Sequence, residues 1–248
     1  MRLLSGHGPC CDGEVNSAAA NAALVFTAEM YGLQLDQLAV LLGGTSRQAR
    51  SLVTRWAGSG LAETATLGPG PPWVWLTRAG LRACGARYAA APPALARLAH
   101  IRAVTAVRLA LDTVPAYRDG GAHWRSERHL RGRVRIGARD HLPDAEVHWP
   151  DESGLAWAGE CWAIEAELTA KTVARTTAIM RELLSRTGDY GCPAAQSRVP
   201  GEPPRHARAV YLCSPAATGT VLRARDALGA GRIEIRSLPT SAYLAAPS

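Results

Sequence analysis

His141-Leu142-Pro143-Asp144-Ala145-Glu146-Val147 and Cys161-Trp162-Ala163-Ile164-Glu165-Ala166-Glu167-Leu168 are the stretches on which the fold of this chain turns. They read as two strands of a buried sheet joined by a polar loop. Strand side chains alternate between faces, so Glu165 and Glu167 point one way while Trp162, Ile164 and Ala166 point the other. Two carboxylates on one face of an otherwise apolar strand are costly to bury unless a cation or a basic side chain meets them. If the two strands are neighbours, Asp144 joins Glu165 and Glu167 in a three-carboxylate site of the kind hard divalent cations use.

Working outward, the 248 residues suffice for one large or two small domains. The chain is 47% apolar and 20% charged, which is the composition of a globular protein. No apolar run is long enough to span a bilayer, and the N-terminus does not read as a signal peptide. No membrane partner and a cytoplasmic location are therefore expected. The formal charge of +7 favours an anionic partner such as nucleic acid. Lys171 is the only lysine and every other strong base is arginine, a bias of the kind a GC-rich bacterial genome produces. The six cysteines (Cys10, Cys11, Cys84, Cys161, Cys192, Cys213) form no C-x-x-C pair and no zinc spacing, so reduced thiols are expected.

Residues 1–16 lack periodicity and are expected to be a flexible arm. Residues 17–30 read as a helix with Leu24, Val25 and Met30 as its apolar contribution, ended by Gly32. Leu33 to Leu42 read as a second helix. Thr45 or Ser46 then caps a third, whose inner face is Ala49, Leu52, Val53 and Trp56 at i, i+3, i+4, i+7. Its outer face is Arg47, Gln48, Arg50, Ser51, Thr54 and Arg55, and no acid lies between Asp36 and Glu63. Leu61–Leu67 and Trp73–Leu76 flank a Gly-Pro-rich turn and read as a hairpin. Residues 85–93 read as a linker.

A long helix follows over 94–113, with Leu95, Leu98, Ile101, Val104, Val107 and Leu111 inward, Arg97, Arg102 and Arg108 outward, and Pro115 as its stop. His123–Val134 reads as a basic strand region leading into a loop of arginines. After the two acidic strands come a helix over 171–187, a long loop over 188–205, a strand at 207–212, a helix at 216–229 and a strand at 232–238. The first of these helices carries Val173, Ile179, Leu183 and Leu184 inward and Arg175, Arg181 and Arg186 outward. The tail after Pro239 is expected to fray.

Three helices followed by a hairpin resemble a winged helix-turn-helix, with the helix from Ser46 as the recognition helix. Arginine and glutamine on its exterior suit phosphates and base edges in the major groove of double-stranded DNA. From residue 94 the order helix, three strands, helix, strand, helix, strand, with Pro143-Asp144 and Glu165-x-Glu167, resembles the restriction-endonuclease-like PD-(D/E)xK core. The expected fold class is thus α+β, an N-terminal winged helix-turn-helix (17–84) followed by an α/β nuclease-like domain with a mixed central sheet (94–240). The resemblance implies that Asp144 and Glu165 bind Mg²⁺ or Mn²⁺, which activates water for attack on a phosphodiester. Glu167 stands where lysine is usual in that motif. Lys171, six residues after Glu165 and so outside the motif's spacing, is a candidate for the missing charge, and Glu127 in Trp124-Arg125-Ser126-Glu127-Arg128 is a candidate for the additional acid that some members of the superfamily carry.

Leu98 to Leu111 (L-A-H-x-x-x-V-x-x-V-R-L-x-L), W-x-S-E-R at 124–128, H-x-P-D at 141–144 and the E-x-E strand together resemble the replication-relaxation family of bacterial mobile-element proteins. This resemblance implies plasmid replication or DNA relaxation. Two readings stay open. In one, the chain is a metal-dependent DNA nickase. In the other, Glu165 and Glu167 pair with Arg128 or Arg175, and the second domain of a replication accessory or transcription regulator serves dimerisation or partner contact. A tyrosine relaxase is disfavoured because His123, His129, His141 and His148 form no His-hydrophobe-His pair, and His141 reads as a loop residue. No G-x-S-x-G or P-loop is present.

Overall fold

Strand β6 (Cys161–Glu167) lies at the middle of a five-stranded sheet of order β4-β5-β6-β7-β8. β4 (His123–Ser126), β5 (Ala145–His148) and β6 run antiparallel, whereas β7 (Arg208–Cys213) and β8 (Ile233–Ser237) are parallel to β6. The sheet is therefore mixed, and the parallel crossovers are the helices α8 (Val173–Ser185) and α9 (Pro215–Leu228). This computed structural model describes residue 15 and residues 17–132, 141–186 and 205–242. Most of the expected N-terminal arm, most of the arginine loop before His141, nearly all of the 188–205 loop and the end of the tail lie outside the described residues, as do Cys10, Cys11 and Cys192.

A second, antiparallel sheet of order β1-β3-β2 belongs to the N-terminal part. This part comprises α1 (Ser17–Glu29), β1 (Leu33–Gln34), α2 (Leu35–Leu41), α3 (Ser46–Gly58), β2 (Ala62–Ala65), β3 (Trp73–Leu76) and α4 (Arg78–Ala83). Expected and observed elements agree closely here, with informative exceptions. Leu33 and Gln34 form a strand against β3 and not the first turn of a helix. The chain enters it through Tyr31 at φ 64° and Gly32 at φ 134°, where a Cβ would meet the Val74 carbonyl at 2.7 Å. Val25, expected to be inward, is exposed, and Phe26 takes its place in the core. Thr45 caps α3: its hydroxyl accepts from the Gln48 amide at 3.3 Å, and the Gln48 side chain accepts from the Thr45 amide at 2.7 Å.

The long helix α5 (Leu98–Leu111) packs one side on the sheet and the other on the N-terminal part, and this overturns the outward assignment of two arginines. Arg102 is 6% exposed and binds Asp36 at 2.7 and 3.0 Å as well as Gln34. Arg108 binds Glu29 at 2.6 Å and lies 4.2 Å from the Phe26 ring centroid. Leu95, expected to be buried, is 68% exposed, because a short 3₁₀ turn over Leu95–Arg97 precedes the helix proper. Pro115 does not merely stop α5. It opens α6 (Pro115–Asp119), where its missing N–H costs nothing. The expected 123–134 strand ends at Ser126, whose hydroxyl accepts from the His129 amide and starts α7 (Glu127–Arg131). On α8, Met180 is buried with Ile179 and Leu183, and Arg186 folds inward onto Glu182.

One apolar cluster joins the N-terminal part, α5 and the sheet face carrying Val147, Ile164 and Ala166. The opposite face, with Ala163, Ala209 and Tyr211, packs under α8 and α9. Among the described residues no helix is long and apolar enough to cross a membrane.

Arg102→Ala removes a buried charge that ties α2 to α5. Urea denaturation is expected to show a loss of about 3 kcal/mol, against less than about 0.5 kcal/mol for Leu95→Ala on the exposed turn.

Candidate functional site

Ala145 pairs with Ile164 in the antiparallel register, so Asp144 lies one step further on, abreast of Glu165. β6 places Glu165 and Glu167 on the α8 side, and both are buried, at 3% and 4% exposure. The expected cluster is thus brought together, and each acid meets a base. Asp144 Oδ1 contacts His100 Nε2 at 2.7 Å, and its Oδ2 accepts from the Ala166 amide at 2.8 Å. Glu165 Oε1 contacts His141 Nε2 at 2.8 Å. The Lys171 ammonium donates to the Glu167 carboxylate. Arg128 is engaged elsewhere: it donates to the carbonyls of Ala28 and Ala89 and lies over the rings of Tyr31 and Tyr88.

Glu127 starts α7 across a narrow cleft whose walls include Tyr31, Arg97, His100 and Asp144. Its amide donates to the Asp144 carbonyl at 2.9 Å. Its carboxylate, however, is held by Arg97 at 2.6 Å and Arg131 at 2.6 Å. It orders the arginine side of the cleft, while the acid cluster lies beyond Asp144.

The electrostatics follow from burial and proximity. Burial, then the Asp144 charge beside it, pushes the Glu165 carboxyl up to about 7, although His141 opposes the rise. Burial also works to raise Asp144, but the His100 hydrogen bond and charge, with the Ala166 amide, outweigh it and hold the group below the ordinary range. Burial works against the charged forms of His100 and His141, yet their carboxylate partners raise both above the usual histidine value. Tyr211 lies abreast of Glu165 on β7, and its hydroxyl is buried without a hydrogen-bond partner. Burial first, and the charges of Glu165 and Glu167 next, raise this phenol strongly and keep it neutral.

Asp144 and Glu165, abreast on neighbouring strands, supply carboxylates of the kind a hard divalent cation such as Mg²⁺ or Mn²⁺ uses, but among the described residues Asp144, Glu165 and Glu167 do not bring three ligand atoms within 4.8 Å of one another, so the expected three-carboxylate site is not closed. Asp144 and Glu165 would hold such a cation, and its charge would remove the like-charge penalty on Glu165.

On α3, Arg47, Arg50, Ser51, Thr54 and Arg55 are exposed along one face, as expected, while Gln48 is partly buried and engaged in the capping box. Sequence reasoning misses His100, which sits on the apolar-looking α5, and sets His141 aside. It also misses Glu146, which is fully buried among Arg205, His148 and His206. Only the acid-rich pattern of β5 and β6 hints that bases must arrive from elsewhere.

No family model matches the chain, and no curated protein matches it. Among solved structures, an O-methyltransferase family 2 protein from Planctomyces limnophilus DSM 3776, in complex with apigenin, is 14% identical with a TM-score of 0.18. The match covers 91% of this chain, which spans 63% of that protein's length. At that score the likeness carries no argument about fold or chemistry.

Glu165 binds its proton more tightly when folded, so its contribution is complete below the unfolded value of 4.5 and is lost as pH rises through about 7. His100 and His141, raised from 6.5, act in the same sense at higher pH. Asp144 and Glu146, both lowered, act oppositely, losing their contribution as pH falls through their folded values. The metal-free protein is therefore expected to melt at a lower temperature at about pH 8 than at about pH 6. Glu165→Gln should stabilise it by about 1–3 kcal/mol at about pH 8 and flatten the dependence in calorimetry.

Proposed function

We propose that the chain is a DNA-binding protein of a bacterial mobile element, of the plasmid replication or relaxation type. In this reading residues 17–84 are a winged helix that binds duplex DNA, and residues 94–240 are a nuclease-like domain that nicks it. The convergence of Asp144, Glu165, Glu167 and Lys171 at one end of adjoining strands carries the proposal. The order of the elements supports it. A short strand between α1 and α2 and a hairpin after α3 suit a winged helix. A helix, three antiparallel strands, a crossover helix and a parallel strand suit a PD-(D/E)xK core.

A bound divalent cation would activate water and stabilise charge on the phosphate. The remaining work falls to the chain's own groups. Asp144 and Glu165 supply the oxygens, and His100 and His141 fix the carboxylates in place through the observed contacts. Glu167, on the same face as Glu165, is the base for the attacking water, and Lys171, hydrogen-bonded to it, offers positive charge to the phosphate. Arg97 and Arg131, oriented by Glu127, line the approach to Asp144.

The non-catalytic reading rests on one observation: each acid is already matched by a base, a set that is stable with no metal. Under it the second domain joins a second copy of the chain or another protein.

Supercoiled plasmid incubated with the protein and Mg²⁺ or Mn²⁺ is expected to be nicked, and Asp144→Asn/Glu165→Gln is expected to abolish nicking while leaving the gel shift intact. Absence of nicking by both proteins, with both still shifting the plasmid, selects the non-catalytic reading. Arg47→Ala/Arg50→Ala/Arg55→Ala is expected to weaken duplex binding at least about tenfold and to lower the salt slope by about 0.9 for each phosphate that is no longer neutralised.

A further inference from the structure

Two strand positions from the nuclease-like acids, a chemically different cluster occupies the same sheet face. Glu146 on β5 is fully buried. His148 follows two residues later and is the cross-strand partner of Cys161, the first residue of β6. His206 is fully buried just ahead of β7. One ligand atom each from Glu146, Cys161 and His206 lies within 4.8 Å of the others. Cys161 Sγ is 3.5 Å from His148 Nε2, and Glu146 is 2.8 Å from His148 Nε2 and 2.9 Å from His206 Nε2.

We propose that Glu146, Cys161 and His206 bind one zinc ion. The grouping of these three ligand atoms carries the inference. The His206 Nδ1 faces the Leu183 carbonyl at 3.0 Å, a pure acceptor, so Nδ1 carries the proton and the ring is held with Nε2 toward Glu146, 2.9 Å away. An imidazole fixed by Nδ1–H to a backbone carbonyl, with Nε2 turned to the metal, is the usual arrangement of a zinc-bound histidine.

The distances agree with this assignment. With Zn–S about 2.3 Å and Zn–N about 2.0 Å, a tetrahedron has edges of roughly 3.5 Å. The three ligand atoms, within 4.8 Å of one another, need only small shifts to close around the ion. Arg205, now bidentate on Glu146 at 2.7 and 2.8 Å, is a second partner orienting the carboxylate. Nitrogen and sulfur ligands select zinc over Mg²⁺, and the three protein ligands would tie β5, β6 and the entry to β7 together. The proposal stands apart from the nuclease reading.

Elemental analysis of the full chain, purified without chelator and desalted, is expected to find one zinc per chain, and Co²⁺ in its place should give a thiolate-to-cobalt charge-transfer band. Cys161→Ser, a conservative change at a half-buried position, should abolish that band and weaken zinc binding at least about tenfold against a chromophoric chelator, with unchanged circular dichroism. His206→Gln should lose zinc as well. Asp144→Asn/Glu165→Gln should retain full zinc content, which separates this site from the nuclease-like one. A folded protein that takes up neither zinc nor cobalt, or a Cys161→Ser variant that binds zinc as tightly as the parent, overturns the proposal.

Discussion

Burying carboxylates on one face of β5 and β6 is the constraint from which the rest of the C-terminal architecture follows. An unpaired ionised carboxylate in an apolar interior costs several kcal/mol or gives up its charge. Glu146, Glu165 and Glu167 share this face, and Asp144 closes its end. Each is answered by a base from a different place: His100 from α5, His141 from the approach to β5, Lys171 from the turn before α8, and Arg205 and His206 from the entry to β7. The sheet order is thus enforced by electrostatics as well as by packing. Any shift of register would separate at least one acid from its partner.

Helix α5 transmits that arrangement to the N-terminal part. One side of it supplies His100 to Asp144, while from the same helix Arg102 is buried against Asp36 and Arg108 is half-buried against Glu29. Arg128, at the start of α7, reaches the Ala28 carbonyl and the rings of Tyr31 and Tyr88. A guanidinium desolvated in this way must keep its partners. The α3 surface and the acid cluster therefore belong to one packed body with a shared apolar core. Under the proposed function, the DNA bound at α3 would be presented to the acids at a fixed distance.

Local periodicity makes much of this legible in the sequence. The α3 pattern of Ala49, Leu52, Val53 and Trp56 and the alternation of Glu165 and Glu167 are visible because each depends only on neighbours in the chain. Arg102 reads as outward because helical spacing cannot tell water from a second packing surface, and α5 has two such surfaces. Leu33 and Gln34 read as helix because a two-residue strand is specified by its partner β3 and not by its own pattern. Lys171, four residues after Glu167, is legible, whereas His100 and His206 lie far in sequence from Asp144 and Glu146 and meet them only once the register is set.

The cluster at Glu146 extends that logic. Its ligand types are a familiar zinc set, yet no zinc spacing exists in the chain, because Glu146 sits on one strand, Cys161 on the next and His206 ahead of a third. The two acid-based clusters then differ in softness along a single sheet face. Asp144, Glu165 and Tyr211 offer oxygen alone, while the other end offers nitrogen and sulfur. Hard and soft cations partition between such sites by ligand type more than by affinity. A bound zinc at one end would hold β5, β6 and β7 in register without competing for the oxygen site, and so, under the proposed function, keep Asp144 abreast of Glu165 for a divalent cation and a phosphate.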